Sequence, residues 1–335
     1  MRAALGERYS AAVVRIETGG RVRFERAYGT LSSEAGALNV AVDARFDIAS
    51  ITKVFTATVA LDGVASGVLR LDKPLIDLVP EWRDTAHAPI TLRMLLAHVA
   101  GCKSGADYRT LLDRDVEAFA LTEPLAASPG ERVIYSDLGF MALGVVLGRA
   151  TGTSVRHAIE STLARLGTSG VTFLPRVTER ATIPATEREA WRGLVHAEVH
   201  DEKAYLLNGV GGHAGLFADA AAVARLGEWY LAPYAGRVTS LDPGLAREAV
   251  REVAFDPVLR RGLGWALKTS DENSCGARMS AQTFGHTGFT GTSIWVDPQR
   301  DLSVVFLTNA VHFGRSDMRP IRTAICDAAV EATGG

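Results

Sequence analysis

The sequence predicts an α/β (α+β) fold: a mainly antiparallel sheet formed by N- and C-terminal strands and flanked by helices, with an inserted, mostly helical lobe. Three observations predict it. Segments rich in β-formers lie at both ends of the chain, apolar residues at helical spacing fill the middle, and a loop-rich stretch follows them. The 335 residues suffice for one large core. They divide into a sheet lobe at about 1–65 and 232–335 and an inserted helical lobe at about 66–231, within a single domain spanning 1–335.

Residues 11–17 and 21–28 read as a hairpin around the turn Thr18-Gly19-Gly20. Near the other end, 263–268, 290–296 and 302–308 read as strands, with Asp297-Pro298-Gln299-Arg300-Asp301 as the last turn. A helix follows, with Met318, Ile321, Ile325, Ala328 and Ala329 on one face. Between the two β blocks, helices are expected at 51–66, ended by Gly67, and at 92–97, 138–150 and 220–231. The stretch 167–215 is rich in Gly, Pro and Thr and reads as long ordered loops.

Composition narrows the function classes. Charged residues make up 22% of the chain and the net charge is −2, so no nucleic-acid surface or polybasic membrane patch is expected. Cys102, Cys275 and Cys326 fit no metal spacing and read as buried free thiols. No apolar run approaches the ~18 residues of a membrane span. The N-terminus lacks the apolar middle of a signal peptide, which leads to the expectation of a cytoplasmic protein unless an export signal was trimmed. Oligomeric state is not legible.

The sharpest chemical signal is Ser50-Ile51-Thr52-Lys53. The i, i+3 spacing puts a hydroxyl and an amine on one face of a helix, one turn apart. A serine needs a base beside it to be a nucleophile. A lysine serves as that base if burial or a helix N-terminus lowers its pKa. Taken alone, a capping Ser and a surface Lys fit the pattern as well. Two more motifs change the balance. Tyr135-Ser136-Asp137 precedes an apolar helix and supplies a phenol able to shuttle protons. His286-Thr287-Gly288 lies beside a predicted strand, where Gly permits close approach of a substrate.

Together, in this order, the three motifs resemble the serine β-lactamase and penicillin-binding-protein superfamily, in the branch of class C β-lactamases, DD-peptidases and carboxylesterases. Leu95 to Gly101 is similar to that branch's "LLTHTSG" segment, Pro129-Gly130 with Tyr135-Ser136 to its "PG…YS", and Gly209 to Phe217 to its Gly-rich loop. Residues 199–202, Val-His-Asp-Glu, resemble the "VHDEN" of a peptidoglycan-linked subgroup. The resemblance implies that Ser50 is acylated, that Lys53 and Tyr135 share general acid/base work, and that the Ser50 and Phe289 backbone N–H groups form the oxyanion hole. It implies that Asp137, His286, Thr287 and Gly288 face the substrate.

Two departures matter. The second motif ends in Asp137 where the family's commonest residue is Asn, and an Asp paired with Lys53 would raise the lysine's pKa and shift proton transfer to Tyr135. The third motif carries His286 in place of Lys, which leads to the expectation of a partly charged, pH-dependent grip on a substrate carboxylate. Both departures favour an esterase or peptidase over an efficient β-lactamase.

His196, His200, Asp201, Glu202 and His213 match no zinc spacing, and no metal or other cofactor is expected. His200, Gly212 and His213 are expected at the cleft edge, and His98 at a helix end. Trp191 and Tyr205 suit either the cleft lining or the core. The reading is therefore a serine hydrolase acting through an acyl-enzyme on a small ester, a D-alanyl peptide or a β-lactam. The alternative is a weakly catalytic acyl-binding sensor or scaffold.

Overall fold

The computed structural model describes residues 1–334. The chain enters through a hairpin, β1 (Ala11–Thr18) and β2 (Arg21–Gly29), whose turn uses Gly19 and Gly20 at positive φ. A short strand, β3 (Phe46–Asp47), leads through a 3-10 turn at Ala49–Ile51 into α1 (Thr52–Ala65). The helical region then runs through α2 (Leu92–Leu96), α3 (Val116–Thr122), α4 (Asp137–Thr151) and α5 (Val155–Arg165). Short elements follow: β4 (Val171–Phe173), β5 (Arg188–Glu189), β6 (Gly193–Leu194), α6 (Glu202–Leu206) and β7 (Leu216–Ala218). The chain returns through α7 (Ala220–Leu231) and α8 (Pro243–Ala249) to β8 (Arg260–Arg261), β9 (Ala266–Leu267), β10 (Phe284–Thr287), β11 (Ser293–Asp297) and β12 (Leu302–Thr308), and closes with α9 (Arg319–Ala332).

The main sheet has the order β2-β1-β12-β11-β10-β9-β8, antiparallel throughout. β1 and β12 join the two ends of the chain, from Ala12 opposite Thr308 to Thr18 opposite Leu302. Asn309, only 1% exposed, reinforces that seam. Its Oδ1 accepts from the N–H groups of Ser10 (3.2 Å) and Ala11 (3.0 Å), and its Nδ2 donates to Ser10 Oγ (2.9 Å) and the Ala185 carbonyl (2.6 Å). α7 covers one side of the sheet, packing on β1, β11 and β12, where Tyr230, Trp265 and Phe284 meet edge to face. α9 packs on β12 through Met318, Cys326 and their neighbours.

α1 is buried along its first ten residues, from Thr52 to Leu61, because it packs against α4 and α5. Its apolar residues surround the whole helix, as expected of a helix without a solvent face. α4 is started by Ser136, whose Oγ accepts from Gly139 N at 2.9 Å, and is stopped by Gly152 at φ +65°.

Several boundaries differ from the sequence expectation. Within 263–268 only Ala266–Leu267 is strand, because Gly264 at φ +80° turns the chain against Ala57 of α1. The segment 288–292 forms a turn closed by Gly291 N to the Gly288 carbonyl, so the next strand starts at Ser293. Ser50 lies in the 3-10 turn, two residues before the α-helix. α7, placed by sequence at the end of the inserted lobe, packs on the sheet. Among the described residues no single helix is long and apolar enough to cross a membrane. All three cysteines are free and buried.

Replacing Asn309 by Ala leaves two buried N–H groups and a carbonyl without their partner. Each unsatisfied group costs about 1–3 kcal/mol, so the expected loss is at least ~3 kcal/mol, to be read from urea denaturation midpoints at unchanged m-value.

Candidate active site

The turn that carries Ser50 is tied from several directions. β3 pairs with β7, and Ile48 N donates to the Leu216 carbonyl at 3.1 Å. The buried Asp47 carboxylate accepts from Ala49 N at 2.8 Å and from His200 N at 2.6 Å. Burial pushes this carboxyl's pKa up, against the pull of those two N–H groups. Thr290 Oγ1 donates to the Asp47 carbonyl at 2.8 Å and Thr292 Oγ1 to the Ile48 carbonyl at 3.2 Å. These bonds hold Ala49 at φ +46°, a left-handed conformation unfavourable for a residue with a Cβ. The next residue, Ser50, projects into the cavity.

Lys53, fully buried, sits one turn on. Its Nζ lies 3.0 Å from Ser50 Oγ, 3.0 Å from the His213 carbonyl and 2.8 Å from Asp137 Oδ1, one acceptor for each ammonium N–H. Burial alone would lower the lysine pKa, but Asp137 and then Tyr135 outweigh it and the net shift is upward. Lys53 therefore stands as an ammonium, with no lone pair facing the serine.

Tyr135 and Asp137 arrive together at the start of α4. The segment is docked by His98, which follows α2 at φ +59°. Its carbonyl accepts from Ile134 N at 2.8 Å and its Nδ1 from Ser136 N at 3.1 Å. Burial, then the cations Arg261 and Lys53, push the His98 pKa well down, so the ring is a neutral acceptor. The Tyr135 ring packs 4.6 Å from His98, with the Lys53 ammonium 5.0 Å and the Arg261 guanidinium 5.1 Å from its centroid.

The opposite wall is β10 and the turn after it. His286 is buried with its ring 6.1 Å from Tyr135. Its Nδ1 lies 2.8 Å from the Thr287 carbonyl, and Nε2 has no partner among the described residues. Burial, then Lys53 and Arg261, lower its pKa to about 3. The expected partial charge is therefore corrected: His286 is neutral at pH 7, because two cations already occupy its surroundings. Gly288 is required by space, since a Cβ there would lie 2.1 Å from Thr292 Oγ1 and 2.6 Å from the Ile48 carbonyl. The backbone N–H groups of Ser50 and Phe289 donate to no protein acceptor among the described residues. The Phe289 ring is held between His200, stacked at 5.6 Å, and the Arg315 guanidinium at 5.1 Å.

A cavity of about 600 Å³ opens beside these groups, lined among others by Ser50, Tyr135, Arg261, His286, Thr287 and Phe289. Of the residues expected at the cleft edge, His200 braces Asp47 and Phe289. Gly212 instead packs on α4, where a Cβ would meet the Phe140 carbonyl at 2.2 Å, and His213 is fully buried with Nε2 2.9 Å from Asp201 Oδ1. Trp191 and Tyr205 pack around Arg192. Glu187, Glu189 and His200 come close enough to share a cation, yet Glu189 holds Arg192 at 2.7 Å while Glu187 holds His200 at 2.8 Å and Arg315 at 3.1 Å. Arg261 and Lys203 escaped the sequence reading: Arg261 lies in no recognisable motif, and Lys203 stands at the last position of the "VHDEN"-like stretch, where that motif has Asn.

The beta-lactamase family model matches residues 2–326. The chain belongs to the beta-lactamase family. A protein of Escherichia coli (strain K12) named putative D-alanyl-D-alanine carboxypeptidase is 31% identical over 304 residues, covering 80% of this chain and 69% of that protein. A protein of the same name from Salmonella agona (strain SL483) is 30% identical, with the same coverage. Among solved structures, EstCE1, described as a hydrolase with promiscuous acyltransferase activity, superposes with TM-score 0.80 at 22% identity, over 98% of this chain and 96% of that one. A class C beta lactamase superposes with TM-score 0.78 at 16% identity, over 99% and 95%. These two show the shared fold. The protein is a serine hydrolase of the beta-lactamase family.

The acidic members of the site predict its acid sensitivity. Burial raises the pKa of Asp137, but Lys53, His213 and Lys203 outweigh it; burial raises that of Asp201, but His213, Lys203 and the Ala204 N–H outweigh it further. Both carboxyls end below their ordinary 3.8. Groups lowered on folding contribute stability above the unfolded pKa and lose it as pH falls through the folded one. Stability is expected to drop steeply below pH ~4, and Asp201→Asn, about 3 kcal/mol less stable at pH 7, to show a shallower acid slope in melting curves.

Proposed function

We propose that the protein hydrolyses amides or esters through an acyl–Ser50 intermediate, with Tyr135 as the proton-transfer group, and that its preferred substrates carry a carboxylate on the leaving side. The contact that supports this reading is Lys53 to Ser50 at 3.0 Å, with the ammonium's other acceptors supplied by Asp137 and His213. Because Lys53 donates to Ser50 Oγ, the serine's own proton is free to point elsewhere, and Tyr135 lines the same cavity.

As Oγ attacks the carbonyl carbon, its proton passes to the Tyr135 oxygen, the reacting form of Tyr135 being the phenolate, and the carbonyl π electrons move onto oxygen. The free N–H groups of Ser50 and Phe289 receive that oxyanion. Removing one such donor elsewhere costs about 3–4 kcal/mol. Collapse breaks the bond to the leaving group, which takes the proton from Tyr135. Water then attacks the acyl-enzyme by the same route and regenerates Ser50. The nearby ammonium and guanidinium compensate charge as it moves.

The substrate class is read from the cavity's cations. Four arginines line it: Arg261, Arg315, Arg319 and Arg322. Arg315 pairs with Glu187 and Glu202, Arg319 with Asp317, and Arg322 donates to backbone carbonyls. Arg261 has no acid partner among the described residues, and its buried Nε has no acceptor. Burial lowers its pKa, which an incoming carboxylate would reverse. The relatives named for D-alanyl-D-alanine carboxypeptidase activity make a peptide ending in D-alanine the first substrate to try.

Ser50→Ala is expected to abolish turnover of a p-nitrophenyl ester panel and of a D-Ala-D-Ala peptide, together with mass-spectrometric labelling by a fluorophosphonate. Labelling at another residue, or an unchanged rate, would refute the assignment; a stable adduct without turnover would favour the sensor reading. Arg261→Gln should cost roughly ten- to a hundredfold in kcat/KM on carboxylate-bearing substrates, matching the ~1.5–3 kcal/mol of a charged hydrogen bond, and less than threefold on an uncharged ester.

A further inference from the structure

Lys203, 8% exposed, lies behind the site and is not among the residues that line the cavity. Its ammonium is 3.1 Å from Asp201 Oδ2 and 3.3 Å from Asp137 Oδ2. Asp137 thus gives one oxygen to each lysine, Oδ1 to Lys53 and Oδ2 to Lys203. Asp201 gives Oδ2 to Lys203 and Oδ1 to His213, whose carbonyl accepts from Lys53. The contacts close a ring in which two ammonium groups and two carboxylates alternate.

The ring has a consequence for Ser50. A carboxylate shared between two cations pulls on each less than it would on one alone. Without Lys203, Asp137 would turn both oxygens to Lys53 and draw the ammonium off Ser50 Oγ. Without the Asp137 charge, two ammonium groups would face each other in a buried site. Either change alone upsets the position of Lys53, and both together leave the net charge of the ring unchanged.

We propose that Lys203 is a positioning residue for acylation: by taking the second oxygen of Asp137 it keeps the Lys53 ammonium against Ser50, so that Asp137 and Lys203 work as one neutral unit. The proposal rests on Ser50 being the acylated residue.

A double-mutant cycle tests it on the full chain, with p-nitrophenyl ester turnover and the rate of fluorophosphonate labelling as readouts. Lys203→Asn and Asp137→Asn are each expected to lower kcat at least tenfold with KM within threefold. If the two residues act as one unit, the double variant should be no slower than Asp137→Asn alone, and Lys203→Arg should stay within threefold of wild type. Losses that multiply in the double variant, or a wild-type rate in Lys203→Asn, overturn the proposal. Should Asp137→Asn fail to fold by circular dichroism, Lys203→Asn against Lys203→Arg decides: a kcat at least tenfold lower in the Asn variant at unchanged KM supports the unit, and equal rates refute it; should Lys203→Asn fail to fold, Lys203→Gln takes its place. A wild type that neither turns over ester nor labels at Ser50 refutes the acyl-enzyme reading instead, so the two failures are distinct.

Discussion

The ion pair between Lys53 and Asp137 sets the terms for the rest of the site. An ammonium with no exposure to water costs several kcal/mol unless it is paired and hydrogen-bonded, and Lys53 is wholly buried. Asp137 supplies the charge, and its place as the first residue of α4 puts the positive end of that helix behind the carboxylate. In the proposed mechanism the lysine, held as a cation, orients Ser50 and compensates charge. On that proposal the proton-accepting role falls to Tyr135, which the same helix start delivers.

The same cation explains the opposite wall. His286 is buried beside Lys53 and Arg261, so a third positive charge there is disfavoured and the imidazole stays neutral. A neutral ring with an unpartnered Nε2 is a hydrogen-bonding surface, not an anchor for an anion. On the proposed reading the cationic duty moves to Arg261 on β8, a strand that reaches the site because β10 and β9 carry it there in register.

Much of this was legible in the sequence, and for physical reasons. The i, i+3 spacing of Ser50 and Lys53, and the adjacency of Tyr135 to a helix start, are local, so they survive whatever the tertiary fold does. The sheet that joins both ends follows from β-rich segments at the termini with helices between. What stayed hidden depends on contacts far apart in sequence. The consequence of Asp137 for Lys53 was visible as an alternative, but the answering charge, Lys203, lies 66 positions later in a segment with little periodicity. The neutral state of His286 depends on Arg261 and on burial, neither of which spacing reveals. Gly212 and His213 were expected at the cleft edge, in a loop that resembles the family's Gly-rich one. In fact those glycines let the loop press against α4, where Gly212 has no room for a side chain.

The strained turn at Ala49 belongs to the same logic. A left-handed residue ahead of Ser50 persists only if its neighbours over-determine it. Asp47, Thr290 and Thr292 do so from two sides, with the carboxylate of Asp47 itself fixed by the His200 N–H. His200 also stacks on Phe289. The two free N–H groups that would receive an oxyanion, those of Ser50 and Phe289, are therefore set by one connected group of bonds instead of by two independent loops. Their separation is fixed before any substrate arrives. In acyl transfer such preorganisation matters because donors already in place need no reorganisation when the oxyanion forms.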